Sequence, residues 1–223
     1  GETCVRLLRD ELGVAPDPAT LALLRASDAE AEMPRTHYVA VDGIHIAYQT
    51  IGSGPADIVL VPGFISHVER IWEDRSCRAW LSAVSRLGRL ILFDRRGMGL
   101  SDRVGARPTV EATARDILAV MDAAGSRKAV LVGASEGGPG CIRFAVDHPD
   151  RLTGLVLWGS LAKGSHAPDY PFALTSAQYD LWQQRLLAGW GGPAEIETFA
   201  PSVASDRQAR AWWAGLLRAA SSP

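Results

Sequence analysis

The sequence predicts an α/β fold built on a mostly parallel sheet. Two observations predict it. Short runs of apolar residues alternate with longer amphipathic stretches from residue 37 to 160. The apolar runs are continuous and do not alternate with polar residues, which means burial on both faces and hence a parallel sheet covered by helices.

The elements follow in order. "HYVAVDGIHIAYQTIG" (37–52) holds two β-rich runs around Asp42-Gly43, a strong hairpin signal. "ADIVLVPG" (56–63) reads as a buried strand, "RIWEDRSCRAWLSAVSRLG" (70–88) as a helix and "RLILFDRRG" (89–97) as a strand and turn. "PTVEATARDILAVMDAAG" (108–125) is an amphipathic helix with Val110, Ala114, Ile117, Leu118 and Met121 on its apolar face and Gly125 as its stop. "KAVLVGAS" (128–135) is a strand, "GGPGCIRFAVDHP" (137–149) a helix and "LTGLVLWGS" (152–160) a strand. Before this core, residues 1–33 read as helical, with Asp17 as a cap, Pro18 at a first helical position and Pro34 as a stop. After it, residues 161–223 hold four of the seven tryptophans in helical segments and no further strand–helix unit. The expected organisation is a helical extension (1–36), an α/β core (37–160) and a helical cap region (161–223).

Composition narrows the function. The chain has 223 residues, 47% hydrophobic and 22% charged, enough for one sizeable core. A net charge of −2 gives no electrostatic footprint for nucleic acid or an anionic membrane, and no apolar run is long enough to span a bilayer. Cys4, Cys77 and Cys141 are far apart and odd in number, as expected of reduced thiols in a cytoplasmic protein. No Cys/His spacing suits zinc, and neither a metal nor a cofactor is expected.

The chemistry-bearing stretch is Gly133-Ala134-Ser135-Glu136-Gly137. The strand Val130-Leu131-Val132 runs into it and a helix leaves it. A sharp strand-to-helix turn would expose Ser135 at the carboxyl end of a strand and the amino end of a helix, where developing negative charge is favoured. "VPGF" (61–64) ends another buried strand. Its loop can offer the Phe64 backbone N–H to an oxyanion, alongside that of Glu136.

These residues resemble the α/β-hydrolase superfamily. "LVPGF" is similar to its oxyanion loop, "LILFDRRGMGLSD" (90–102) to its Asp-x-Arg-Gly-x-Gly-x-Ser loop, "LVGASEGG" to its nucleophile elbow and "DHPDRLTGLVLWGS" (147–160) to its sixth-strand region. The resemblance implies acyl transfer by a serine nucleophile, as in ester or amide cleavage, and the tryptophans of residues 161–223 suggest a pocket for a small, apolar substrate. The resemblance places Asp94, Arg95 and Arg96 in a structural loop. It also implies the triad order serine, acid, histidine. After Ser135 only His148 and His166 remain. His148 lies 13 residues along the departing helix, about 20 Å away at a helical rise of roughly 1.5 Å per residue, and cannot be the base. His166 with Asp169 behind it is an alternative, in the wrong order. His67 is a possible pocket residue, and His37 and His45 belong to the first hairpin. The simpler expectation is a catalytically incomplete segment of a longer protein, consistent with a start at Gly1 and an end at Pro223. "LVLW" (155–158) would then be an open apolar sheet edge, a route to self-association.

Residues 1–33 carry a second resemblance. "LLRDELGVAPDPATLALL" (7–24) is similar to the end of a bacterial transcriptional activator domain. That leaves a second reading open, a non-enzymatic ligand-sensing or interaction domain of a multi-domain regulator.

Overall fold

Asp42 and Gly43 turn the chain with φ of 52° and 78°, the pair of positive angles that a two-residue hairpin turn needs. They join β1 (His37–Val41) to β2 (Ile44–Ile51) in antiparallel register from Val41↔Ile44 to His37↔Tyr48. This computed structural model describes residues 33–105 and 108–222, together with residues 9, 10, 15, 17 and 18. Apart from those five residues, the helices expected over residues 1–33 lie outside the described residues.

Four more strands complete a six-stranded sheet: β3 (Asp57–Val61), β4 (Arg89–Phe93), β5 (Ala129–Ala134) and β6 (Leu152–Trp158). The order is β1-β2-β4-β3-β5-β6; β2 meets β4 antiparallel, and every later join is parallel. Successive residues of β3 and β4 point to opposite faces. Val59, Val61, Ile91 and Phe93 pack under α2 (Val110–Ala123) and α3 (Gly137–Asp147). Leu60, Leu90 and Leu92 pack on the other face with Leu81 of α1 (Arg75–Val84) and with Trp72. Both sets are buried, so the strands have no polar side to show.

Two expected helices are adjusted. The stretch 70–88 is a 3-10 turn, Arg70–Glu73, followed by α1. Asp74 separates them with extended backbone (ψ 129°), and its carboxylate accepts the Cys77 N–H at 2.8 Å, so it caps α1. In α2, Val110 is exposed because it opens the first turn, whereas Asp116 is fully buried. Arg96 explains this. Its Nε and Nη2 donate to the two Asp116 oxygens at 2.9 and 2.6 Å, and Nη2 also reaches Asp42 at 3.0 Å.

The loop after β4 is a junction. Asp94 is fully buried, and one of its oxygens accepts the N–H groups of Val68 (3.2 Å) and Leu100 (2.9 Å). Burial pushes its carboxyl above the usual range, although both bonds oppose the shift. Ser101 Oγ donates to the Asp94 carbonyl at 2.6 Å and accepts the Ala47 N–H at 2.9 Å. This loop therefore ties β2, β4 and the segment after β3 together at the carboxyl edge of the parallel strands.

The region after β6 forms α4 (Ser176–Ala188), α5 (Ile196–Phe199) and α6 (Arg207–Ala220). A capping box between Thr175 and Gln178 starts α4. The end of α6 docks on the Asp94 loop, where the Ala220 carbonyl accepts Gly99 N–H and Arg103 Nη1 at 2.8 and 2.7 Å. Strand β6 is outermost among the described strands. Its residues Leu155, Val156, Leu157 and Trp158 are exposed, Trp158 to 64%, with the Trp80 ring 6.0 Å from that of Trp158.

Candidate active site

Strands β3 and β5 run parallel as far as Val61↔Gly133. Pro62-Gly63-Phe64 and Ala134-Ser135-Glu136 therefore leave the sheet side by side. Ser135 has φ 48°, one of three described residues other than glycine with positive φ. Its N–H donates to the Trp158 carbonyl at 3.0 Å. Its own carbonyl accepts Gly138 N–H at 3.1 Å and Ser160 Oγ at 2.6 Å. The turn is thus held from β6 on one side and by α3 on the other.

Two glycines make the approach possible. A Cβ on Gly63 would lie 3.0 Å from Ser135 Cβ and 3.6 Å from its Oγ. A Cβ on Gly137 would strike the backbone carbonyls of Val61 and Pro62. Bare backbone at Gly137 is required for the loop after β3 to close onto the turn after β5, and at Gly63 it allows this tight approach without a shift. Among the described residues, no acceptor pairs with the backbone N–H of Phe64 or Glu136. Glu136 stands at the amino end of α3 and its side chain makes no cap bond, which leaves the first-turn N–H groups and the positive end of the helix dipole next to Ser135 in sequence.

The Phe64 ring packs against the helices that follow β6. It meets Trp182 edge-on at 5.9 Å and Phe199 at 5.0 Å. Phe199 packs on Trp213, whose Nε1 donates to the Ala194 carbonyl at 2.9 Å. Trp182 and Trp213, with Trp190, Leu186 and Leu217, form a hydrophobic cluster among the helices after β6. These three tryptophans therefore pack that cluster, and Phe64 attaches it to the loop beside Ser135.

Arg95 was not singled out by its spacing. Its side chain is 10% exposed, and Nη1 donates to the Gly63 carbonyl at 3.1 Å and to a Glu136 oxygen at 3.4 Å. Cys141 lies buried in α3, and burial pushes its thiol up to about 12, which leaves it a packing group.

The histidines sit elsewhere. His166 gives its backbone N–H to the Leu174 carbonyl, and Asp169 is exposed and 3.9 Å from Lys163. Among the described residues, His166 contacts neither Asp169 nor Ser135. His148 ends α3 with its ring on Phe144. His67 Nδ1 accepts from the N–H groups of Glu69 (3.3 Å) and Arg70 (3.2 Å), which puts its proton on Nε2. It lines a cleft with Met33, Trp72 and Arg78, not one that contains Ser135. His37 stacks on Tyr48, and His45 pairs with Asp102. Among the described residues, no cluster of side chains could hold a metal ion, and no helix is long and apolar enough to cross a membrane.

A mixed sheet of this order, with a left-handed serine at the turn after its fifth strand, defines a hydrolase-type α/β architecture. Residues 58–209 match the model of the α/β hydrolase fold family, and the chain belongs to that family. It is similar to the serine hydrolase BPHL of Mus musculus, with 31% identity over 127 residues, 56% of this chain and 42% of the relative. It is similar to a Caulobacter vibrioides protein named for carbamate hydrolysis, with 34% identity over 128 residues, 56% of this chain and 45% of the relative. The chain thus spans less than half the length of these relatives. In fold it is similar to an esterase from Exiguobacterium antarcticum, with a TM-score of 0.66 and 24% identity over 84% of this chain and 69% of that one.

Proposed function

We propose that this chain carries the nucleophile and the oxyanion site of a serine hydrolase that cleaves an ester or amide. The observation that carries the reading is Ser135 in left-handed backbone between β5 and α3, with Gly63 packed against its Cβ. Strain at such a turn is the price of presenting a side chain clear of the sheet. Ser135 Oγ attacks the substrate carbonyl carbon as its proton passes to a base. The carbonyl oxygen takes up the negative charge and accepts hydrogen bonds from the Phe64 and Glu136 N–H groups. The leaving group departs with the proton from the base, and water then releases the acyl group from Ser135.

The base and acid are assigned to sequence outside the 223 residues. Three observations support this. No described histidine makes a hydrogen bond with Ser135. The outer edge of β6 is apolar and unpaired among the described strands, as suits a sheet continued by another strand. The match covers less than half the length of the curated relatives, 42% and 45%. The aromatic side chain of Phe64, partly buried on the loop beside Ser135, suits a small, apolar substrate. Soluble, cytoplasmic use without a cofactor fits this chemistry.

A fluorophosphonate probe and a p-nitrophenyl ester test the reading on the full-length protein. Labelling and turnover that both vanish in Ser135→Ala support it. Binding of an apolar ligand with no labelling overturns it in favour of a ligand-sensing domain.

A further inference from the structure

Arg95 fills the unspecified position of the Asp-x-Arg-Gly-x-Gly-x-Ser loop, directly after β4. Its neighbour Arg96 is satisfied by the buried Asp116. Arg95 turns the other way, is 10% exposed, and has an Nε with no partner among the described residues. Packing would not explain a nearly buried guanidinium here, because hiding it costs free energy that a neutral side chain would not. Among the described residues, its hydrogen bonds come from one nitrogen. Nη1 carries two protons, one for the Gly63 carbonyl (3.1 Å) and one for the Glu136 carboxylate (3.4 Å).

These acceptors belong to the two oxyanion donors. The Gly63 carbonyl and the Phe64 N–H are opposite ends of one planar trans peptide. Fixing the oxygen fixes the direction of the N–H, and drawing charge towards that oxygen makes the N–H a stronger donor. The carboxylate belongs to Glu136, whose N–H is the second donor. We infer that Arg95 is a positioning residue that clamps the Gly63–Phe64 peptide to Glu136 and so aims both donors at one point beside Ser135. The inference rests on the serine-hydrolase reading of Ser135. Arg95 itself touches no substrate. Its effect grows as charge develops on the oxyanion, so it belongs to the transition state more than to the bound substrate. An arginine suits the task because its planar fork holds a fixed direction, which a lysine ammonium does not.

The test compares the full-length protein with Arg95→Met and Arg95→Lys. Ester turnover, affinity for a boronic acid that forms a tetrahedral adduct with the serine, thermal melting, and the amide signal of Phe64 in 15N-phenylalanine-labelled protein are measured. Arg95→Met is expected to lower kcat about 10- to 100-fold with KM changed less than about threefold, and to weaken the boronic acid in parallel. The Phe64 amide signal should move, and Arg95→Lys should recover part of each effect. A folded Arg95→Met with wild-type kcat, a change in KM alone, or an unmoved Phe64 signal overturns the clamp. Should Arg95→Met not fold, Arg95→Lys decides, since wild-type kcat and Phe64 signal in that variant overturn it equally. Should the wild-type protein take no fluorophosphonate and turn over no ester, the serine reading fails, and the Phe64 signal still decides whether Arg95 holds the loop.

Discussion

Replacing Ser135 by glycine should stabilise the fold while removing the proposed nucleophile. Ser135 holds φ 48°, a region that costs a residue with a Cβ roughly 1–2 kcal/mol. Glycine escapes that cost, but its unfolded chain is freer, which takes back about 0.5–1 kcal/mol. The difference leaves a net stabilisation of roughly 0.5–1 kcal/mol. Ser135→Ala is the proper reference, because it also lacks the hydroxyl but keeps the Cβ and the strain. Ser135 Oγ has no hydrogen-bond partner among the described residues, so Ser135→Ala should lie close to the wild type in stability. In a chain of this size 1 kcal/mol moves Tm by about 2–4 °C, so the glycine variant should melt about 1–4 °C above the alanine variant. Urea unfolding in one buffer, with the slope checked for constancy, measures the same difference independently. A glycine variant no more stable than the alanine variant would refute the idea that strain is stored at this turn.

Other outcomes follow from particular contacts. Arg96→Met strands the fully buried Asp116 carboxylate and should cost about 3–5 kcal/mol in urea unfolding, much of it restored by adding Asp116→Asn. The Arg89 hydrogen bond holds the Asp57 carboxyl below its ordinary range, so the unfolded chain takes up a proton that the native state refuses. That stability is present above the ordinary carboxylate range and is lost as pH falls through the lowered value, so Asp57→Asn should flatten the loss of stability between about pH 5 and 2. Burial pushes the thiols of Cys77 and Cys141 up to about 12, with Asp74 adding to the effect at Cys77. Neither should react with iodoacetamide at pH 8 until denaturant is added, as mass spectrometry would show.

Much of the architecture is readable from local signals because local physics dictates it. Asp42-Gly43 announces a hairpin, since few other pairs accept two positive φ angles. Val59 to Val61 and Leu90 to Phe93 read as buried strands because each face of the sheet is covered by a different helix layer. Ser135 stands out because glycines flank it and a strand precedes it. Other features depend on partners distant in sequence. Asp116 in α2 looks like a solvent-facing residue until Arg96 is brought to it from 20 positions away. Arg95 occupies a position where the motif imposes no residue, so nothing in the spacing marks it; its meaning comes from Gly63 and Glu136, which lie on two other loops. The break at Asp74 had a local signal, an aspartate three residues before the N–H it caps, which the surrounding helical pattern masked.

Phe64 joins the helices after β6 to the loop beside the serine turn, a link separate from the hydrogen bonds of the Ala220 carbonyl to Gly99 and Arg103. Its ring is held by Trp182 and Phe199 of the cap, while its amide lies beside the serine turn. Under the proposed reading, in which that amide serves the oxyanion, substitutions at Trp182 or Phe199 are expected to alter how fast a bound molecule reacts and not only how firmly it is held. Selectivity on that reading is expressed as a rate: a poorly fitting ligand can occupy the space and still leave the amide poorly aimed.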